Sequence, residues 1–129
     1  MKQMHILWVD DEIDLLKPFI LFLEERNYLV DTCNNGTDAI EKVVENKFDL
    51  VILDEMMPGL DGLATLQEIK RINPALPIVM VTKSEEEGLM DKAIASQISD
   101  YLIKPINPNQ IIMAIKKIFQ AAEIRAIQI

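Results

Sequence analysis

Five short apolar runs recur along the chain, and their alternation with helical spacing constrains the fold more than any other feature. They occupy residues 6–9, 29–33, 50–53, 78–81 and 101–103. Each is too short for a helix. Four are near-continuous, the pattern of strands buried on both faces of a parallel sheet. Asp31 and Thr32 interrupt the second run, which places it at a sheet edge. The segments between carry apolar stripes at helical spacing. Ile13, Leu16, Ile20 and Leu23 form the first. Ala39, Ile40, Val43 and Val44 form the second, with Thr37 expected as its N-cap after Gly36. Leu63, Leu66, Ile69 and Ile72 form the third, capped by Asp61 and stopped by Asn73-Pro74. A fourth helix is expected to start at Ser84, which has capping-box spacing with Glu87, and to bury Leu89, Ala93 and Ile94. The fifth takes Asn107 as N-cap, Pro108 at its first position and Gln110 three residues after the cap, and buries Ile111, Ile115, Ile118 and Ala122. Pro18 falls inside the first pattern, where it removes a hydrogen bond and crowds the carbonyl of Asp14, so that helix should start late or bend.

Strand and helix thus alternate five times across 129 residues, the length of one domain. Right-handed crossovers turn that order into an α/β fold, a doubly wound five-stranded parallel sheet with helices on both faces. Ligands of such sheets sit beyond the carboxyl ends of the strands. The residues after each run therefore carry the functional information. Asp10 and Asp11 follow the first run, Asp54 the third, Thr82 the fourth and Lys104 the fifth. Crowded carboxylates repel unless a cation holds them, and a hard divalent ion such as Mg²⁺ suits oxygen ligands. A lysine ammonium and a threonine hydroxyl suit phosphoryl oxygens. A carboxylate can also be the nucleophile. The set reads as phosphoryl transfer to an aspartate with Mg²⁺ as charge clamp.

Composition removes competing classes. The net charge is −8, which opposes any grip on nucleic acid by this domain. Cys33 and His5 are the sole cysteine and histidine, so there is no internal disulfide and no His/Cys metal site. His5 is expected to be a strand-start residue without chemistry. No signal-peptide pattern or bilayer-length apolar run is present, so the expected location is cytoplasmic, without membrane contact.

The residues Asp10-Asp11, Leu53-Asp54-Glu55-Met56-Met57-Pro58-Gly59 with Asp61-Gly62, Thr82, and Tyr101-Leu102-Ile103-Lys104-Pro105 resemble a response-regulator receiver domain of the CheY-like kind, over residues 4 to 120. The resemblance implies a flavodoxin-like strand order, 2-1-3-4-5. It implies that Asp54 accepts a phosphoryl group from a sensor histidine kinase. It further implies Mg²⁺ on Asp11, Asp54 and the Met56 carbonyl, with Asp10 reaching it directly or through water. Lys104 would pair with the phosphoryl group, Lys104-Pro105 would be cis, and Thr82 and Tyr101 would be a switch pair. The fourth helix, fifth strand and fifth helix would form the surface that answers, through an effector, an output protein or a phosphorylation-dependent homodimer. Within the family, Asp54-Glu55-Met56-Met57-Pro58, Thr82-Lys83 and Lys104-Pro105-Ile106-Asn107-Pro108 are similar to the receivers of PorX-type regulators, whose effector is an alkaline-phosphatase-like domain. The helical pattern continues past Gln120 through Ile127, so residues 1–129 are expected to be the receiver of a longer regulator, its last helix leading toward an effector.

Three readings compete. One is the phosphorylation switch, a signalling domain and not an enzyme beyond its own phosphorylation and dephosphorylation. The second is a constitutive interaction module with Asp54 unused. The third is a phosphatase with an aspartate nucleophile, weakened because haloacid-dehalogenase-type enzymes need two aspartates one residue apart, whereas Asp10 and Asp11 are adjacent. The intact acceptor set favours the switch. Lys83 departs from the family pattern, which has a small residue there. Ser96-Gln97-Ile98-Ser99 lacks the usual turn glycine, and Glu55 adds a negative charge near the rim.

Overall fold

Side chains alternate across a strand, and this period of two sorts the core onto two faces. In the computed structural model the strands are β1 (His5–Val9), β2 (Leu29–Cys33), β3 (Leu50–Asp54), β4 (Ile78–Thr82) and β5 (Asp100–Ile103). They form one parallel sheet in the order β2-β1-β3-β4-β5, with β2 at an edge as its interrupted run predicts. The structure describes residues 3–83 and 88–127, with side chains through residue 120. Leu7, Val9, Val51, Leu53, Ile78 and Met80 share one face with Ala39, Val43, Leu66, Ile69 and Ala93. Those partners belong to α2 (Gly36–Glu45), α3 (Gly62–Ile72) and α4 (Leu89–Ala95). Ile6, Trp8, Leu50, Ile52, Val79 and Val81 take the other face with Leu23, Ile111, Ala114, Ile115 and Ile118. These lie on α1 (Lys17–Glu24) and α5 (Pro108–Ile127).

Helix boundaries follow local chemistry. The Pro18 region is resolved by a 3-10 turn over Ile13–Leu16, after which α1 begins with Pro18 in its first turn, where the missing N–H costs nothing. Asp61 caps α3 by accepting from the Ala64 N–H at 2.8 Å. Asn107 and Gln110 close a reciprocal capping box on α5, at 2.8 and 3.0 Å. The Ser84/Glu87 box lies outside the described residues. Thr37 is not the cap of α2. Asn35 takes that role, its side chain accepting from the Asp38 N–H at 2.8 Å, while Thr37 sits exposed in the first turn. Asn35→Ala is therefore expected to lower stability by about 1 kcal/mol, while Thr37→Ala changes it little. Urea titration of both variants checks this, and equal losses would return the cap to Thr37.

Among the described side chains, two expected core positions are exposed, Val44 and Ile94, while that of Ala122 lies outside them. Each lies one residue past a buried neighbour, Val43 or Ala93, and one helical step turns a side chain about 100° away from the sheet. The glycine-free turn before β5 is made by Gln97, which takes a left-handed φ of 67°. Among the described residues, no helix is long and apolar enough to cross a membrane.

Candidate functional site

The alternation that sorts the core also assembles the site. Asp54 ends β3 on the same face as Leu50 and Ile52, the face covered by α1 and α5. Val9 stands opposite Leu53, so Asp10 follows β1 beside Asp54. Lys104 follows β5 with the parity of Leu102, which belongs to that face as well. Thr82 and Tyr101 have the opposite parity. Thr82 continues the Ile78–Met80 row, and Tyr101 is paired with Met80. Strand pleating thus places the acid–base group on one face and the hydroxyl–phenol pair on the other.

One carboxylate oxygen from each of Asp10, Asp11 and Asp54 lies within 4.8 Å of the others. Asp10 is 1% exposed and Asp54 4%, while Asp11 is open to solvent. Lys104 supplies the cation. Its Nζ donates to Asp10 Oδ2 at 2.8 Å and stands 3.7 Å from Asp54 Oδ2. The hydrogen bond therefore goes to Asp10, and Asp54 is left with a weaker charge contact. Asp10 Oδ1 accepts the Glu12 N–H at 2.8 Å, which fixes that carboxylate toward Lys104. The Met56 N–H donates to Asp54 Oδ1 at 3.3 Å.

These contacts do not fully compensate Asp54. Burial, and then the Asp10 charge, push its pKa from 3.8 to about 6, against the pull of Lys104 and the Met56 N–H. Lys104 goes the other way. Burial lowers its pKa, but the Asp10 hydrogen bond and the Asp54, Asp10 and Glu12 charges outweigh that and hold the ammonium above its ordinary value. Three close carboxylates with one ammonium have the oxygen-rich, anion-excess donor set of a hard divalent cation site.

Gly62 explains the Asp61-Gly62 pair. A Cβ there would lie 2.4 Å from the Asp54 carbonyl oxygen and 2.5 Å from Glu55 Cα, so the start of α3 packs directly on the backbone of the acid-bearing strand. Glu55 is turned toward α3 and accepts the Leu63 N–H. No spacing rule links residues eight apart across a loop, and the sequence reading missed this contact. Thr82 is fully buried at the end of β4. Tyr101 is half-buried against the α2–α4 face, where burial and then Glu55 push its phenol pKa up. Lys104-Pro105 is cis. His5 packs at a tilt against Phe48 and meets Asp31 at 3.0 Å, at the opposite end of the strands.

Comparison with known proteins decides the family. The family model of the response regulator receiver domain matches residues 6–116. The chain belongs to that family. This receiver is 36% identical over 121 residues to the transcriptional regulatory protein ResD of Bacillus subtilis (strain 168), covering 94% of this chain and 50% of that protein. It is 41% identical over 106 residues to the transcriptional regulatory protein ZraR of Klebsiella oxytoca, covering 82% of this chain and 24% of that one. The receiver thus spans half the length, or less, of these relatives. A two-component response regulator from Clostridium difficile shares its fold with TM-score 0.85 and 32% identity, over 92% of this chain and 97% of that one. A CheY-like receiver domain from Methanospirillum hungatei JF-1 shares the fold with TM-score 0.91 at 23% identity, over 96% and 99%. The flavodoxin-like order 2-1-3-4-5 agrees with these neighbours.

Proposed function

We propose that this receiver is a phosphorylation switch in which Asp54 accepts a phosphoryl group from a phosphohistidine of a sensor kinase. The observation that carries the reading is a nearly buried Asp54 whose carboxylate shares one pocket with Asp10, Asp11 and Lys104. An Asp54 oxygen attacks phosphorus, the P–N bond breaks, and the imidazole nitrogen keeps the electron pair and takes a proton from solvent. Asp10, Asp11, Asp54 and the Met56 carbonyl would hold Mg²⁺, which neutralises charge on the transferring group. Lys104 holds Asp10 before transfer and turns to the new phosphoryl oxygens after it, a charge-assisted contact stronger than the 3.7 Å approach to Asp54. The phosphorylated side chain carries about two negative charges, one more than the carboxylate it replaces, and three strong acceptor oxygens. The Thr82 hydroxyl moves to donate to one of them, and the Tyr101 ring turns further inward behind it. The face of α4, β5 and α5 changes with them.

That face would be read by an effector or output protein, or by a second copy of the chain. The relatives' names describe transcriptional regulators, and the PorX resemblance implies an alkaline-phosphatase-like effector. Residues 1–129 would be the receiver unit of such a regulator, and the chain's own chemistry is limited to gaining and losing the phosphoryl group. Intact-mass analysis with Mg²⁺ and acetyl phosphate should show one added phosphoryl group, absent in Asp54→Asn. Beryllofluoride with Mg²⁺ should shift amide resonances in α4, β5 and α5, and Thr82→Ala should bind the mimic with that face silent. Phosphoryl uptake without any response of the face would favour the constitutive module over the switch.

A further inference from the structure

We propose that the cleft between the end of α1, the start of β2 and α5 is an oxyanion site that takes a phosphate group, held by Arg26, Tyr28 and Lys116. The inference does not rest on the phosphorylation reading, and the cleft lies away from the acid cluster. Arg26 follows α1 and Tyr28 precedes β2, so both stand toward the amino ends of the strands, whereas Asp54 closes the carboxyl end of β3. Arg26, Tyr28, Ile112 and Lys116 line a cleft of about 370 Å³. Asn27 takes a left-handed φ of 68°, which turns the chain out of α1, and Tyr28 then packs on the same side of the sheet as Ile112. Ile112 and Lys116 are one turn apart on α5, so a half-buried isoleucine and an exposed lysine face the same cleft.

The donors of this cleft are largely unspent. Arg26 is fixed by its own helix: its guanidinium carbon stands 3.4 Å from the centroid of the Phe22 ring, and its Nη1 donates to the Phe22 carbonyl at 3.0 Å. That anchor orders the side chain and leaves the rest of its fork of N–H groups for another acceptor. Among the described residues, the Tyr28 hydroxyl and the Lys116 ammonium have no hydrogen-bond partner, and no carboxylate lies within 4.0 Å of Arg26 or Lys116. In a chain of net charge −8 the cleft is thus a local excess of positive charge and of donors.

A phosphate group answers that set. It carries several acceptor oxygens and up to two charges on one tetrahedral head, which suits a guanidinium, a phenol and an ammonium placed around one cleft. A carboxylate offers two oxygens to the three donor groups. A metal cation is opposed by the local charge, and a nucleic-acid backbone by the charge of the rest of the chain. The cleft is also larger than the roughly 150 Å³ that holds a benzene-sized ligand, so the organic part of a phosphate ester has room against Ile112 and the Tyr28 ring. Arg26 follows α1 and Lys116 lies on α5, so a shared anion ties together the two helices that cover the Asp54 face of the sheet.

The test titrates the 129-residue chain with inorganic phosphate, without Mg²⁺ and at constant ionic strength, and follows amide and tyrosine ring resonances. Without metal the acid cluster repels the anion, so the shifts should saturate at Arg26, Tyr28 and Lys116 while Asp10 and Asp54 stay still. Arg26→Gln and Lys116→Gln should each weaken binding roughly tenfold, the effect of losing one charge-assisted contact. Tyr28→Phe keeps the ring and should weaken it less. Lys117→Gln removes the same charge from the neighbouring position, outside the cleft, and should leave the affinity unchanged. Phenyl phosphate distinguishes the source of the group: tighter binding than inorganic phosphate assigns an ester lying on Ile112 and Tyr28, and equal binding assigns free phosphate. Shifts that never saturate, or an equal loss in Lys117→Gln, overturn the site, because they report only screening of surface charge. Either result leaves the phosphorylation of Asp54 to its own test.

Discussion

Replacing Asp54 by Asn is expected to stabilise the metal-free chain at neutral pH by about 1–3 kcal/mol, in addition to abolishing phosphoryl uptake. The reason lies in the cost of an almost buried anion beside Asp10. A rise in pKa from 3.8 to about 6 corresponds to about 3 kcal/mol at most, because one pKa unit is about 1.4 kcal/mol. Asn keeps the shape and can still accept the Met56 N–H, but it carries no charge to desolvate or repel.

The pH dependence has a definite sign. The folded chain holds the Asp54 proton more tightly than the unfolded chain does. Asp54 therefore contributes stability that is fully present below 3.8 and lost as pH rises through about 6. The stability gap between Asp54→Asn and the unmodified protein should accordingly be small below that window and reach its full size above it. Chemical denaturation without divalent ions, run across the window, reads this directly. A gap that does not change with pH would show that Asp54 is not the buried, charge-crowded carboxylate described. With Mg²⁺ added, the unmodified protein should gain stability by mass action and the gap should shrink.

Much of this site was legible in the sequence because strand ends are legible. A continuous apolar run stops where the chain leaves the sheet, so the first polar residue after it marks the rim. That logic found Asp10, Asp54, Thr82 and Lys104 from spacing alone. Counting by twos along each run would have gone further. It assigns Asp10, Asp54 and Lys104 to the α1/α5 face and Thr82 with Tyr101 to the other. What the pattern cannot carry is the direction in which each loop departs. Lys104 bonds to Asp10 in place of Asp54 because the Glu12 N–H turns the Asp10 carboxylate toward it. The helix cap at Asn35 was missed for a related reason: Asn34, Asn35 and Thr37 are all competent caps, and only the backbone conformation at Asn35 selects among them. Glu55 reads in the sequence as one more negative charge near the rim. In the fold it meets the start of α3, while Glu12 faces Lys83.

Lys104→Met should be the most damaging single change at the rim in the absence of metal. Lys104 is the cation closest to both buried carboxylates, 2.8 Å from Asp10 and 3.7 Å from Asp54. Met keeps the unbranched stem, so packing against the cavity wall is largely retained and the charge alone is removed. Removing one partner of a buried pair usually costs about 3–5 kcal/mol, because the other charge stays behind uncompensated. Asp10, at 1% exposure, is such a charge. The full loss is not reached, since the crowded carboxylates can take up a proton, and an expected cost of about 2–3 kcal/mol at neutral pH reflects that escape. The same escape predicts partial recovery as pH falls. Mg²⁺ should rescue the variant more strongly than it stabilises the unmodified protein, because the ion then meets the acid cluster without a competing ammonium. Urea midpoints with and without millimolar Mg²⁺ separate these outcomes. A variant as stable as the unmodified protein without metal, or one with no larger response to Mg²⁺, would mean that Lys104 does not hold the acid cluster together.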